Sequence, residues 1–153
     1  MNKYLKIIGS ISTLQLLIAC GASLPDQCKQ LTIITKEYTE IKEPIRSKNY
    51  ELSADQLFQK SKKIEKLQLS DSSLKALQQK LVSNYDDWAK STLSGAGIAK
   101  QQELSANDGA STDNLKKQLD ISHQLSENGE KIYKALQENI ELTAELKKTC
   151  PNS

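Results

Sequence analysis

Apolar residues recur three and four positions apart along most of the chain, a spacing that places side chains on one face of an α-helix. The first such stripe comprises Cys28, Leu31, Ile34, Tyr38 and Ile41. Pro25 suits the first turn of this helix, and Pro44 should end or kink it near residue 43. The pattern therefore predicts a first helix that begins close to residue 25.

Two further helix starts follow. We interpret residues 44–52 as a connection and Ser53-Ala54-Asp55-Gln56 as a capping box that begins a short second helix. Its predicted face comprises Leu57, Ser61, Ile64 and Leu67. Ser70-Asp71-Ser72-Ser73, with an acidic residue at the helix start, begins a third. The face of the third helix comprises Leu74, Leu77, Leu81, Tyr85, Trp88 and Thr92. The segment 94–99 is either a break in that helix or a small-residue seam at which two helices approach closely.

A loop at Asn107–Ser111 precedes the fourth predicted helix, which Thr112 and Asp113 open. Its predicted apolar stripe comprises Leu115, Leu119, Ser122, Leu125, Gly129, Ile132, Leu136, Ile140, Thr143, Leu146 and Cys150. If unbroken, the helix is roughly 55–60 Å long at 1.5 Å per residue. Asn128-Gly129 is its weakest point, since glycine costs about 1 kcal/mol relative to alanine.

Four helices with short connections predict an all-α fold, an antiparallel up-down four-helix bundle spanning residues 26–150, followed by a tail at 151–153. The main variant is a long helical hairpin covered by two shorter helices. An aromatic content of 5% and only three prolines argue against a sandwich or barrel.

The first residues have the organisation of an export signal. Lys3 and Lys6 precede an apolar stretch that is shorter than the ~20 residues a spanning helix needs. It ends in Leu17-Ile18-Ala19-Cys20, which resembles the lipobox of bacterial lipoproteins. The resemblance implies that residues 1–19 are a signal peptide, that Cys20 carries lipid including palmitate, and that residues 20–25 are a tether. Two or three acyl chains would anchor the protein stably to a membrane. Its location would be the bacterial cell envelope, at the outer membrane if enteric-type sorting applies, with the bundle in the periplasm or at the cell surface.

Charge excludes one class of partner. The chain has 21 basic and 19 acidic residues, and residues 1–19 contain two lysines and no acid, so the mature protein is neutral. No basic footprint for nucleic acid remains. Lys60, Lys62, Lys63 and Lys66 cluster in sequence, and we interpret them as a solvated helix surface.

Lipidation of Cys20 would leave Cys28 and Cys150 as a pair. Disulfides persist in exported proteins, and an up-down bundle brings the start of its first helix and the end of its last to the same end. We therefore predict a Cys28–Cys150 disulfide. A metal site is the alternative, but two thiols without a nearby histidine make a poor one.

The remaining candidates for chemistry are sparse. His123 is the only histidine, and Ser122, its neighbour in sequence, would point elsewhere on a helix, so no catalytic triad is predicted. Gly95–Lys100 lacks the strand and the third glycine of a phosphate loop. We predict no enzyme activity, cofactor or metal. Tyr85 and Trp88 are interpreted as core, or as a partner surface if their rings are exposed.

The segment Leu67–Leu74, with Leu77, Leu81 and Val82 after it, resembles a stretch of small helical bacterial lipoproteins, many of which carry a cysteine near each end. That resemblance implies a helical lipoprotein and assigns no functional residue. The leading hypothesis is a non-catalytic envelope lipoprotein that presents a helical surface to a protein partner, in a structural, assembly or inhibitory role. The alternative is a carrier that binds a small apolar ligand between its helices.

Overall fold

A computed structural model describes residues 22–36, 47–106 and 111–152. Within these ranges the chain forms four α-helices and no strand: α1 (Leu24–Lys36), α2 (Ser47–Glu65), α3 (Ser72–Ser105) and α4 (Thr112–Thr149). The all-α class is confirmed. The helices α3 and α4, of 34 and 38 residues, are far longer than α1 and α2, of 13 and 19 residues. Cys20 and the predicted signal peptide lie outside the described residues.

Capping side chains fix the starts of the two long helices. The Asp71 carboxylate accepts a hydrogen bond from the Leu74 backbone N–H at 2.9 Å, and the Ser111 hydroxyl accepts one from the Asn114 N–H at 3.2 Å. Both caps satisfy backbone donors that have no partner inside the helix. These two starts lie where the sequence predicts them. The helix α1 begins at Leu24, inside the segment that we assigned to the tether.

The predicted start of the second helix is wrong. Residues 47–52 are helical rather than a connection, and Ser53, the expected cap, lies buried inside α2. The reason is tertiary packing: Tyr50, one turn before Ser53, reaches α3 at Gly95, so the helix is stabilised well before the local capping signal. A capping box is a pattern of four consecutive residues, so it carries no information about contacts with another helix.

The helix α3 is the central element. Both α2 and α4 pack along it, whereas no described Cα atoms of α2 and α4 come within 8 Å of each other, and α1 contacts all three at one end. Ser61 of α2 donates to the Val82 carbonyl of α3 at 3.4 Å. Lys80 of α3 forms an ion pair with Glu145 of α4 at 3.1 Å. All four helices therefore pack at the end that holds α1, and three of them continue beyond it.

A continuous apolar core lies between the helices, with smaller residues toward the α3–α4 turn. Its buried members are Cys28, Leu31, Leu57, Ile64, Leu69, Leu74, Leu77, Leu81, Tyr85, Trp88, Ala89, Ala135, Leu142, Leu146 and Cys150. Each large side chain of this kind stabilises the fold by about 1.5–3 kcal/mol relative to exposure. The core is widest where α1 is present, because only there do four helices enclose it.

The segment 94–99 is helical throughout, so α3 continues unbroken to Ser105. A Cβ atom placed on Gly95 would lie 2.8 Å from Asn128 Nδ2 of α4 and 3.0 Å from Tyr50 Cε1 of α2. Side chains of two other helices thus meet α3 at one glycine. The small-residue seam is the correct one of the two alternatives.

The predicted apolar stripe of α4 is partly wrong. Its members Leu115, Leu119 and Ile140 are 61%, 62% and 55% exposed. Five of the six residues that the helix buries recur every seven positions instead: Asn114, Ile121, Asn128, Ala135 and Leu142; the sixth, Leu146, belongs to the predicted stripe. This inward face is less apolar than the predicted one, so hydrophobicity alone selected the wrong side of the helix.

Candidate functional site

One end of the molecule is joined covalently. Cys28 of α1 and Cys150, the residue that ends α4, lie at disulfide-bonding distance, with their Cα atoms 5.5 Å apart. The predicted pairing is confirmed, and the separation lies inside the limit of about 7 Å for such a bond. The bond encloses a loop with a sequence separation of 122 residues, which is most of the described chain.

Gln27, the neighbour of Cys28, ties the same end to the connection between α2 and α3. Its side-chain oxygen accepts a hydrogen bond from the Ser70 backbone N–H at 2.7 Å, and its side-chain nitrogen donates to the Ser70 hydroxyl at 2.8 Å. Gln27 is buried. A buried amide that is satisfied on both sides fixes the orientation of α1 more strictly than apolar contact does.

A shallow groove of about 200 Å³ lies beside the disulfide. Its lining is mostly apolar and comprises Leu24, Pro25, Cys28, Thr149, Cys150, Pro151 and Asn152. Small-molecule sites usually enclose roughly 300–1,000 Å³ and contain a few convergent polar groups. This groove is therefore small for a ligand site.

A polar layer crosses the core near its middle. The Asn84 side chain of α3 donates to the Ala135 carbonyl of α4 at 2.9 Å and accepts from Asn139 at 3.1 Å. Lys60 of α2 donates to the Thr35 carbonyl of α1 at 2.9 Å. The layer joins α1 with α2 and α3 with α4 by hydrogen bonds, and we interpret it as a device that fixes the register of the helices.

Lys60 corrects one expectation. We interpreted it as part of a solvated lysine surface, but it is only 5% exposed. Its ammonium lies 5.1 Å from the centre of the Tyr85 ring, a distance at which the ring face attracts a cation. Burial raises the pKa of the Tyr85 hydroxyl, and a hydrogen bond with Asn139 opposes that rise. Tyr85 of α3 therefore contacts both the Lys60 ammonium of α2 and the Asn139 amide of α4.

Tyr85 and Trp88 do not form an exposed aromatic surface. The two residues are 1% and 4% exposed, and their rings lie stacked with centroids 6.3 Å apart. The partner-surface interpretation required exposed rings, so burial removes these two residues from consideration and leaves the core interpretation.

The outward side of α4 is an uncharged surface that no described element covers. Nine uncharged residues follow one another at steps of four and three: Leu115, Leu119, Ser122, Ser126, Gly129, Tyr133, Leu136, Ile140 and Thr143. We call these nine residues the outer face. Eight are exposed and Thr143 is partly exposed. The alternating steps are those of a helix that packs against another helix.

The structure also places the other residues that the sequence analysis considered for chemistry. His123 and Ser122 are exposed. Gly95–Lys100 lies within α3, so it forms no phosphate-binding loop. In the described part of the chain, no group of three or more potential metal ligands comes together. No described helix is both long and apolar enough to span a membrane.

No protein family, no curated protein and no solved structure matches this chain. Its function must therefore be inferred from its own geometry.

Sequence reasoning found the residues of the outer face but assigned them to the wrong side. Seven of the nine belong to the predicted inward stripe of α4. The absence of charge marks two neighbouring stripes on α4, displaced by one residue or about 100°, and it does not distinguish the inward stripe from the outer one. Of these two stripes, one packs against α3 and the other lies exposed on the described part of the molecule.

Proposed function

We propose that this protein is a lipid-anchored bacterial envelope protein that binds another polypeptide through the outer face of α4. One observation carries the proposal: the outer face is uncharged over its whole length, and five of its residues are large, apolar and 38–62% exposed. Large apolar side chains exposed along one uncharged face are a common mark of an interaction site. The role is non-catalytic, in assembly, structure or inhibition.

An antiparallel order of successive helices supports this role. Along α3, contacts with α2 at Gln78, Val82 and Gly95 meet α2 residues of falling number, from Ile64 to Tyr50. Contacts with α4 fall in the same way, from Glu145 opposite Lys80 to Asn128 opposite Gly95. These pairings support an up-down bundle in which α3 and α4 form a long hairpin.

The proposed location supports a display role. A lipid on Cys20 would emerge just before the described chain begins at residue 22, beside the disulfide. The outer face extends along α4 away from that end, because Thr143 is near Cys150 and Leu115 is near the opposite turn. Its apolar strip would therefore be presented along the length of the anchored molecule.

The decisive experiment is site-specific cross-linking in intact cells. A photoreactive phenylalanine analogue replaces Tyr133 on the outer face, and in a control chain it replaces Gln101, an exposed residue of α3. We expect a discrete cross-linked protein species from position 133 and none from position 101. Equal cross-linking at both positions, or none at 133, would contradict the proposal.

Anchoring is tested separately. We expect Cys20→Ala to abolish labelling with radioactive palmitate and to leave the precursor unprocessed, since the acyl chains attach to this cysteine. A Cys28→Ala chain serves as the control and should remain labelled. Continued labelling of the Cys20→Ala chain would show that the export signal has been misread.

A carrier of a small apolar ligand remains the second proposal. The groove beside the disulfide supports it through its apolar lining, and its volume of about 200 Å³ weighs against it. Stoichiometric lipid or another apolar molecule in the organic extract of purified protein, displaced by Leu24→Glu, would favour this function over polypeptide binding.

A further inference from the structure

We propose that the partner of the outer face is a second copy of this chain, paired through α4 in antiparallel orientation. The inference rests on the proposed function, because it names the partner of the same surface. It is carried by the order of large and small residues along the outer face, which is complementary to itself.

Three small residues and three large residues occupy adjacent parts of the middle of the outer face. Ser122, Ser126 and Gly129 lie toward the start of α4, and Tyr133, Leu136 and Ile140 follow them. Gly129 has no atom within 4 Å of the place where a Cβ would lie, so it forms an open depression. The three small residues form a depression, which we call the waist, and the three large residues beside it form a protruding surface, which we call the ridge.

An antiparallel pair with its two-fold axis at the level of Lys131 places ridge on waist. Tyr133 then lies opposite Gly129 of the second copy, and Leu136 opposite Ser126. The same register places Ile140 opposite Ser122, and Leu119 opposite Thr143. Every one of these layers combines one large and one small side chain, which keeps the two helices at a constant separation.

Charges flank this contact without entering it. In the same register Lys134 of one copy lies close to the level of Glu127 of the other, whereas the two copies of Glu130 lie near each other beside the two-fold axis. Opposite charges at an interface rim orient partners more than they add affinity. The uncharged strip itself is buried without the desolvation cost of an ionised group.

The dimensions define a small interface. In this register the paired part of the outer face runs from Leu119 to Thr143, about 36 Å at 1.5 Å per residue, and Leu115 lies beyond it, opposite Lys147. One helix-wide strip of that length lies at the low end of specific interfaces, below about 1,200 Å² in total. The dimer is therefore weak and forms where copies are concentrated. Its two disulfide ends lie at opposite ends, so both tethers reach one membrane when the pair lies along the surface.

The test uses the full chain in its own cells. Glu130→Cys places a thiol on the flank next to the two-fold axis, and Lys100→Cys, exposed on α3, serves as the control. A short bismaleimide cross-linker should join two Glu130→Cys copies through the introduced thiols, giving a species of twice the chain mass. The control chain should give none.

Two lysine substitutions at matched glycines then test the face itself. Gly129 and Gly97 both have open space around the position of a Cβ, so lysine fits at either site in the single chain. Added to Glu130→Cys, Gly129→Lys should lower the cross-linked fraction at least tenfold, whereas Gly97→Lys should leave it unchanged. Circular dichroism confirms that both chains remain folded.

The outcomes separate the two proposals. Cross-linking of the Glu130→Cys chain to a different protein, with no doubled chain, overturns self-pairing and supports the proposed function. A doubled chain that survives Gly129→Lys overturns the antiparallel register argued above. No adduct of any kind, together with no adduct at position 133, overturns both.

Discussion

A methyl group added at Gly95 of α3 would come into close contact with side chains of both α2 and α4. A Cβ there would lie 2.8 Å from Asn128 Nδ2 and 3.0 Å from Tyr50 Cε1, whereas a Cβ on Gly97 would meet nothing within 4 Å. Both glycines lie inside the same helix. They are therefore a matched pair in which helix propensity is equal and only packing differs.

We expect Gly97→Ala to raise the free energy of unfolding by about 0.5–1 kcal/mol, because alanine is the better helix former. Gly95→Ala should instead lower it by about 1 kcal/mol, since overpacking costs roughly 1–3 kcal/mol and exceeds the propensity gain. Urea denaturation followed by circular dichroism measures both. Equal stabilisation by the two substitutions would refute the close approach at Gly95.

The buried Tyr85 hydroxyl predicts a loss of stability in alkali. Burial raises its pKa in the folded state above the ordinary 10.0 of the unfolded chain, so above pH 10 the unfolded chain releases this proton first. The stabilisation is present below pH 10 and is lost as the pH rises through the folded-state pKa. The free energy of unfolding of Tyr85→Phe should therefore fall less steeply above pH 10 than that of the natural chain.

An alkaline profile of Tyr85→Phe that matches that of the natural chain would contradict this expectation.

Several residue-level facts could not be read from the sequence. Lys60 resembles the exposed lysines around it until its position between Thr35 and the Tyr85 ring is known. Asn84 likewise gives no signal of its own, because an asparagine on a helix is usually exposed. Their burial depends on partners 25 and 51 residues away in the chain.

At the scale of the helices, the sequence predicted a helix start correctly where the capping side chain accepts a hydrogen bond from a backbone N–H in the first turn of the same helix. Asp71 and Ser111 are examples, because the cap and the donor that it satisfies are three residues apart. Ser53 failed although its pattern is equally good. The difference is that α2 packs along α3 upstream of Ser53, and this long-range contact outweighs a cap worth about 1 kcal/mol.

The Asp71 cap gives a direct test at this scale. We expect Asp71→Ala to lower the free energy of unfolding by about 1 kcal/mol, because the Leu74 N–H loses its acceptor. Asp71→Asn keeps an acceptor oxygen and should cost much less. Chemical denaturation of the three chains measures both effects, and equal losses for alanine and asparagine would show that charge rather than capping is responsible.

Two apolar stripes on one helix explain why the α4 prediction was only partly correct. A period of three and four residues identifies each stripe, but nothing in the sequence states which stripe meets α3. The stripe that does so contains Asn114, Asn128 and Ala135. Small and amide side chains let α4 approach the Gly95 seam, and this fit outweighs the greater hydrophobicity of the outer face.

At the scale of the whole molecule, the sequence was sufficient to predict that a disulfide pairs the start of the first helix with the end of the last. A cysteine near each end of an even number of helices, together with the expectation that the chain is exported, predicts the pair that the structure brings to a Cα separation of 5.5 Å. The four helices of the described ranges were predicted as well, with the third and fourth longer than the first two. What could not be predicted is how these helices share the core, because the central position of α3 depends on contacts between distant residues.

We expect reduction of the Cys28–Cys150 bond, or Cys150→Ser, to lower the unfolding temperature while most helical content remains. The chain-entropy argument gives about 5 kcal/mol for a loop of this size. Hydrogen exchange should show α1 losing protection first, because it is the shortest described helix and packs on the others at one end only. Uniform loss of protection across all four helices would contradict this order.

The position of the disulfide also determines how the molecule responds to a pulling force. Residues 22 and 152 lie only a few positions outside Cys28 and Cys150. Tension applied between these two residues therefore passes through residues 22–28, the sulfur–sulfur bond and residues 150–152. The helical segments between the cysteines carry none of it, so the bundle should keep its shape under loads that would unravel an open chain.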